Sequence, residues 1–253
     1  MQIKQVSKKD LINIITVFLR EAGLFIAAVF ILYFDGTSVG FKEYNLQFIL
    51  NVIMIIAFVA MIYRATPKVK ELMFYGVILG FLGEYFFSVY LNMYTYRLSN
   101  VPLYVPFGHG VLYARVLRFS KASVVKKNHK TVEQFFSVLI SLLAITYLVF
   151  FNDVFGFVMT GLVFLILWKR PKDRLFFFSM YFLVAILEIG GTAFGCWKWP
   201  DTAFGVIDFL PSNNPPSGIS LFYFLLDVGC FVLYTQRHKL AWKRLKNIRK
   251  IQM

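Results

Sequence analysis

The chain has 253 residues, of which 58% are hydrophobic and only 16% charged, and a formal net charge of +14. A soluble domain carries about a quarter charged residues, so this chain has too few polar side chains to cover a water-facing surface. Two cysteines, Cys196 and Cys230, exclude a disulfide framework, and the absence of CxxC, HExxH and Gly-rich phosphate loops removes the common metal and nucleotide signatures.

The class predicted is all-α, a polytopic membrane helix bundle forming one integral membrane domain over residues 1–253. Its apolar runs approach the roughly 20 residues that a helix needs to cross a bilayer. In chain order they predict eight spans, at 11–34, 46–63, 72–91, 103–119, 134–151, 154–168, 175–194 and 217–236. The first run is broken by Arg20-Glu21 and has no small-residue cleavage site, so it reads as a span and not a signal peptide. Arg20 stands beside Glu21, although adjacent helical positions do not face each other, and Glu21 is expected to be a structural or boundary ion pair rather than a site residue.

The basic residues then sort by side. Of the 27 Lys and Arg, all but Arg20, Lys42, Arg97 and Lys198 fall at the N-terminus, in the second, fourth and sixth connections, or at the C-terminus. The fourth connection is read as holding Arg115, Arg118, Lys121, Lys126, Lys127 and Lys130. By the positive-inside rule both termini are expected to be cytoplasmic, and the "SNNPPSG" loop (212–218) to lie outside. The surplus of charge is thus an orientation signal and an attraction to anionic headgroups, not a nucleic-acid surface. The tail, 237–253, places Trp242, Leu245, Ile248 and Ile251 three apart among basic residues, as a helix lying on the cytoplasmic face would.

The segment "NMYTYRLSNVPLYVPFGHG" (92–110) interrupts this oily pattern, and part of it occurs twice. "VPFGHGVLY" (105–113) and "PPSGISLFY" (215–223) share Pro-x-Gly, then four residues, then Tyr. Upstream, Glu84 precedes Tyr94-Thr95-Tyr96, and Glu188 precedes Trp197-Lys198-Trp199. Each copy is a glutamate inside a span, an aromatic-x-aromatic pair at the outer boundary, a proline-marked loop and a Gly-to-Tyr helix start. The copies fall on spans three–four and seven–eight, which predicts a parallel repeat of four helices plus four, 1–119 and 134–236, about an axis along the membrane normal. An interfacial aromatic belt accounts for Tyr94, Tyr96, Trp197 and Trp199. It leaves the glutamates unexplained.

An acid at the hydrocarbon centre costs roughly 2.5–3.5 kcal/mol on insertion scales and usually serves a function. Gly76, Gly80, Glu84, Ser88 and Asn92 recur at intervals of four, and Gly191, Thr192 and Gly195 follow Glu188 at helical spacing. Small residues admit a neighbouring helix, so both glutamates should face the bundle interior. Ser220, Tyr223, Asp227 and Cys230 share a face of span eight, as His109 and Tyr113 do of span four. Glu84, Glu188, His109 and Asp227 are therefore expected to meet in one cavity in the outer half of the membrane. Tyr94, Tyr96, Tyr113, Trp197, Trp199 and Tyr223 are its expected substrate-binding aromatics. A protonated carboxyl beside an ionised one is a usable acid/base pair, and the same residues could equally lock the bundle through interhelical hydrogen bonds. No cofactor or metal is called for.

An intramembrane Glu, a Gly-containing stretch, aromatic-x-aromatic and a Pro-rich entrance, as in "LEIGGTAFGCWKWP" (187–200), resembles the membrane-embedded carotenoid enzymes: the carotenoid hydratases and the membrane type of lycopene cyclase. "GEYFFSVYLNMYTY" (83–96) is a second copy without the glycines. The resemblance covers these two segments. It implies an enzyme that protonates a polyene double bond, with Glu84 and Glu188 as acid and base.

Three readings fit these residues. One is an intramembrane enzyme hydrating or cyclising an isoprenoid, polyene or other lipid. The others are a proton-coupled transporter of a small solute or lipid, and a non-catalytic membrane subunit. The expected setting is the cytoplasmic membrane of a bacterial cell, with lipid and a lipidic or small-molecule substrate as partners. Oligomeric state is left open.

Overall fold

Several helices start or stop at a device visible in their residues. Ser7 accepts a hydrogen bond from the Asp10 amide and caps α1 (Lys8–Asp35). After α2 (Gln47–Tyr63), Pro67 opens α3 (Pro67–Glu84) in the first helical position, where its missing N–H costs nothing. α3 runs on as a π-helical segment, Tyr85–Tyr90. Then come α4 (Tyr104–Lys121), the short α5 (Ser123–Lys127) and α6 (His129–Phe151), which ends on Asn152 in the left-handed conformation (φ 54°). α7 (Val154–Leu167), α8 (Arg174–Ala193) and α9 (Ser220–Arg237) complete the bundle. Four short strands lie between helices: β1 (Thr95–Tyr96), β2 (Trp197–Lys198), β3 (Thr202–Ala203) and β4 (Ile207–Pro211). This computed structural model describes residues 6–36, 46–241 and 243–244. Lys42 and the hydrophobic positions expected for the tail helix, Trp242, Leu245, Ile248 and Ile251, lie outside the described residues.

Among the described residues, four helices are long and apolar enough to cross a membrane: α1, α3 with its π-helical continuation, α6 and α8. α2 and α7 are apolar but shorter. Their outward faces carry exposed large apolar side chains, among them Phe48, Ile56, Phe135, Val149 and Leu165. Such faces suit lipid and fit a membrane location. α4 and α9, which carry many of the polar residues singled out above, do not meet the same standard. α4 is the interior element, packed against α1, α2, α3 and α8. α9 packs against α3, α7 and α8, buries Ser220, Phe224, Asp227 and Cys230, and leaves Leu225, Phe231, Val232 and Leu233 exposed.

In lipid the hydrophobic effect does not hold helices together, so close approach of backbones must. The α3–α4 seam shows this. A side-chain carbon on Gly110 would stand 2.7 Å from the Met73 carbonyl, and one on Gly76 3.0 Å from Gly110 Cα. Gly80 is in the same position toward the His109 ring, at 3.1 Å. The four-residue stripe thus does what its spacing implied through Gly76, Gly80, Glu84 and Ser88, all buried. Asn92 departs from it and is exposed. The π-helical turn repeats every five residues instead of every four, and Asn92 itself adopts φ 53°, so the stripe loses register there.

Arg115 also departs from expectation. It lies inside α4, not in the connection after it, and its Nη1 stands 3.2 Å from Glu21 Oε2 on α1. Glu21 also pairs with the neighbouring Arg20, at 3.0 Å, so it is the boundary ion pair expected of it.

Candidate functional site

The two glutamates stand in matching surroundings. Glu84 Oε2 accepts hydrogen bonds from the hydroxyls of Tyr94 and Tyr96. Glu188 Oε2 accepts from the indole N–H of Trp197 at 2.8 Å and of Trp199 at 3.2 Å. Both carboxyls are 3% exposed, so these bonds replace water almost completely. The aromatic-x-aromatic pairs therefore point inward to the acids and are not an interfacial belt. Burial, and then the Glu84 carboxylate, push the Tyr94 and Tyr96 hydroxyls well above the usual phenol range, which keeps both as donors.

Strand pairing sets this geometry. β1 and β2 are antiparallel, with Thr95 opposite Lys198 and Tyr96 opposite Trp197. Alternation along a strand sends Tyr94 and Tyr96 to one face, and Trp197 and Trp199 to one face. Tyr94 then lies against Trp199 (ring centroids 4.4 Å) and Tyr96 against Trp197 (5.9 Å, edge to face). On α8, Gly191 is one helical turn from Glu188, and any side-chain carbon there would collide with the Trp197 ring. The glycine is what lets the indole reach the carboxylate.

Helices α4 and α9 add the second half. His109 Nε2 stands 3.1 Å from Glu84 Oε1. The Tyr223 hydroxyl donates to Glu188 Oε1 at 2.7 Å. The His109 and Tyr223 rings are stacked, with centroids 4.7 Å apart and planes 20° apart. The two carboxyls are thus the ends of one assembly, Glu84–His109 against Tyr223–Glu188.

This assembly separates two spaces. The larger, of about 140 Å³, lies among α1, α2, α4 and α8 and is walled mainly by aliphatic side chains. Glu188, His109, Trp197 and Tyr223 form one polar end of it, and Glu21 and Arg115 another. The smaller, of about 10 Å³, is bounded by Glu84, Tyr94, His109, Trp199 and Tyr223. It has room for roughly one water. Around Gly108 the larger space is open, with Met54 Cε the nearest neighbour, at 4.0 Å from a side-chain carbon placed there.

Of the residues expected from sequence, Glu84, Glu188, His109, Tyr94, Tyr96, Trp197, Trp199 and Tyr223 come together. Asp227 and Tyr113 do not join them. Each sits one turn deeper than its partner on the same helix, Tyr223 or His109, and borders neither space. Tyr113 packs on Phe176 (5.2 Å), and Asp227 Oδ2 is buried without a hydrogen-bond partner in the structure. A shared helix face gives direction but not depth, and four residues shift a side chain by about 6 Å along the axis.

Sequence reasoning missed two aspartates that fix the loops above the site. Asp35, at the end of α1, accepts from Arg97 Nη2 (3.0 Å), just after β1, and from Tyr104 Oη (2.8 Å), at the start of α4. Asp153, the N-cap of α7, accepts from the amides of Gly156 (3.1 Å), Asn213 (3.1 Å) and Ser217 (2.7 Å), just before α9. The signal was available for Asp153: an aspartate one residue before an apolar run is an N-cap. Asp153→Ala leaves three amides short of an acceptor. We expect a loss of stability of about 3 kcal/mol, read as an earlier thermal unfolding in detergent. An unchanged melting curve would show that this clamp does not hold the loop.

Among the described residues, no group of three His, Cys, Asp or Glu side chains is placed to hold a metal ion. No protein-family model, curated protein or solved structure matches the chain.

Proposed function

We propose that this protein is an intramembrane acid/base enzyme that adds a proton, and then water, to a carbon–carbon double bond of a lipid. The observation that carries this is the apolar space of about 140 Å³ with one buried carboxyl, Glu188, on its wall and a carboxyl–imidazole pair, Glu84–His109, beside it. A purely structural hydrogen-bond network needs no such space. In the proposed step Glu188, protonated, gives its proton to one alkene carbon. The cation left on the other carbon is sheltered by the ring faces of Trp197 and Tyr223. A water admitted to the larger space beside His109 adds to that carbon, and His109, oriented by Glu84, takes the proton that the water loses. The product is an alcohol, Glu188 is left ionised and His109 protonated, and proton exchange with solvent restores both. Loss of a proton from a carbon next to the cation, in place of water addition, would give an isomerised or cyclised alkene. The resemblance to carotenoid hydratases and membrane-type lycopene cyclases points to the same chemistry.

The eight-span arrangement with cytoplasmic termini belongs to this proposal. α4 crosses as an interior helix, and α9 crosses with its polar residues Ser220 and Asp227 buried against protein and Leu225, Phe231, Val232 and Leu233 turned outward; the matching surroundings of Glu84 and Glu188 support a parallel repeat of four plus four. Val206, 76% exposed between β3 and β4, reports the topology. With Cys196 and Cys230 both buried, Val206→Cys should react with an impermeant maleimide in intact cells. Labelling only after lysis would overturn the orientation.

The enzymatic reading is tested by comparing lipid extracts of a deletion strain and its parent. One unsaturated lipid should accumulate and its hydrated or cyclised derivative disappear. Identical extracts would count against an enzyme and return the choice to the transporter.

A further inference from the structure

The larger cavity runs along α4 from His109 to a second polar group at its other end. Arg115 and Glu21 line it there. Six residues separate His109 from Arg115, which places the two polar ends about 9 Å apart along the helix axis. Between them the wall is apolar, with Ala22, Ala28 and Ala57 keeping it thin. A cavity of about 150 Å³ takes one benzene, so 140 Å³ holds only a short stretch of a chain. The rest must leave sideways. Ala27 and Ile53 line the cavity and are themselves exposed, and α1 and α2 pack only lightly on each other. The occupant is therefore elongated, with a stretch inside and a tail in the bilayer.

The charges at the inner end do not cancel. Glu21 is shared by two guanidinium groups, Arg115 at 3.2 Å and Arg20 at 3.0 Å, which leaves one positive charge over. Arg115 Nε is buried and has no hydrogen-bond partner in the structure. A buried N–H without an acceptor is costly; the Arg115 side chain as a whole is 21% exposed and lies on the cavity wall, where a guanidinium suits an oxygen anion.

We propose that Arg115 clamps the acidic end group, phosphate or carboxylate, of an amphiphile whose chain lies along α4 toward His109 and Glu188. This rests on the reading of the cavity as the substrate site and narrows the substrate to a lipid with an anionic terminus. It also fixes the reacting bond about 9 Å from that terminus.

The test uses the full-length protein in a neutral maltoside detergent, titrated with tetradecyl phosphate, myristate and tetradecanol. One or both anions should bind on the order of tenfold more tightly than the alcohol, the gain of one charge-assisted hydrogen bond. Which anion binds better distinguishes a phosphate from a carboxylate substrate. Glu21→Gln, which frees Arg115, should widen the preference, and the neutral pair Glu21→Gln/Arg115→Gln should abolish it. Gly108→Leu, which fills the cavity, should weaken all three ligands. Equal binding of the three ligands by the parent protein, or a preference that Glu21→Gln leaves unchanged or that survives the double substitution, would overturn the clamp. Glu188→Gln should lose turnover and keep the preference, so failure of the chemistry and failure of the clamp give different results.

Discussion

Glu188→Gln should lower turnover by on the order of 10²–10⁴, the usual contribution of a positioned acid or base, and leave the bundle assembled. The amide keeps the shape of the carboxyl. Its oxygen can still accept from Trp197 and Trp199, and its NH₂ can donate to the Tyr223 oxygen that formerly donated to Oε1. What it cannot do is release a proton to an alkene. Glu84→Gln should cut turnover as well, through His109: its oxygen still accepts from Tyr94 and Tyr96, but the negative charge beside the imidazole is gone. Glu188→Leu is the contrasting change. It strands two indole N–H groups and a hydroxyl, each costing about 1–3 kcal/mol when buried without a partner, and should destabilise the protein. If Glu188→Gln instead keeps full turnover while the Glu84→Leu/Glu188→Leu pair melts well below the parent, the carboxyls are bundle locks and not a reaction centre.

Gly191→Val should have the largest effect on structure. Branched carbons would occupy the volume of the Trp197 ring. The helix backbone cannot retreat, because Leu183 and Val184 below it are buried against their neighbours, so the indole must move. Trp197 would then leave Glu188, and the Tyr96–Trp197 pairing of β1 with β2 would open. Overpacking of this kind costs about 3 kcal/mol, and the unsatisfied carboxyl adds to it. A thermal melt followed by tryptophan fluorescence reads both. A parent-like melt with an unshifted emission maximum would mean that the ring is not held as described.

Much of this site was legible in the residue order. The apolar runs located the helices, since a 20-residue apolar stretch has few other fates. The small residues four apart marked the inward faces of Glu84 and Glu188, because only glycine and serine let another helix come that close. The doubled Glu, aromatic-x-aromatic and Pro-x-Gly order brought eight site residues together on the page. Non-local features were not legible. Nothing in "TY" and "WK" announces that Thr95 pairs with Lys198 across 102 intervening residues. Arg115 sits among basic residues in sequence and was grouped with them, although Glu21, its partner in space, is 94 positions away. Asp227 shares the site's helix face but not its depth, and a one-dimensional pattern separates these poorly. The π-helical turn at Tyr85–Tyr90 changes the period itself, which no count by fours can register.

The central claim is that Glu188 delivers a proton to carbon, and deuterium makes that visible. Isolated membranes containing the protein, incubated in D₂O and then extracted, should yield a lipid product with deuterium bound to carbon, where washing with H₂O cannot remove it. Membranes carrying Glu188→Gln should yield none. Absence of carbon-bound deuterium with the parent protein, or equal incorporation with Glu188→Gln, would contradict the account.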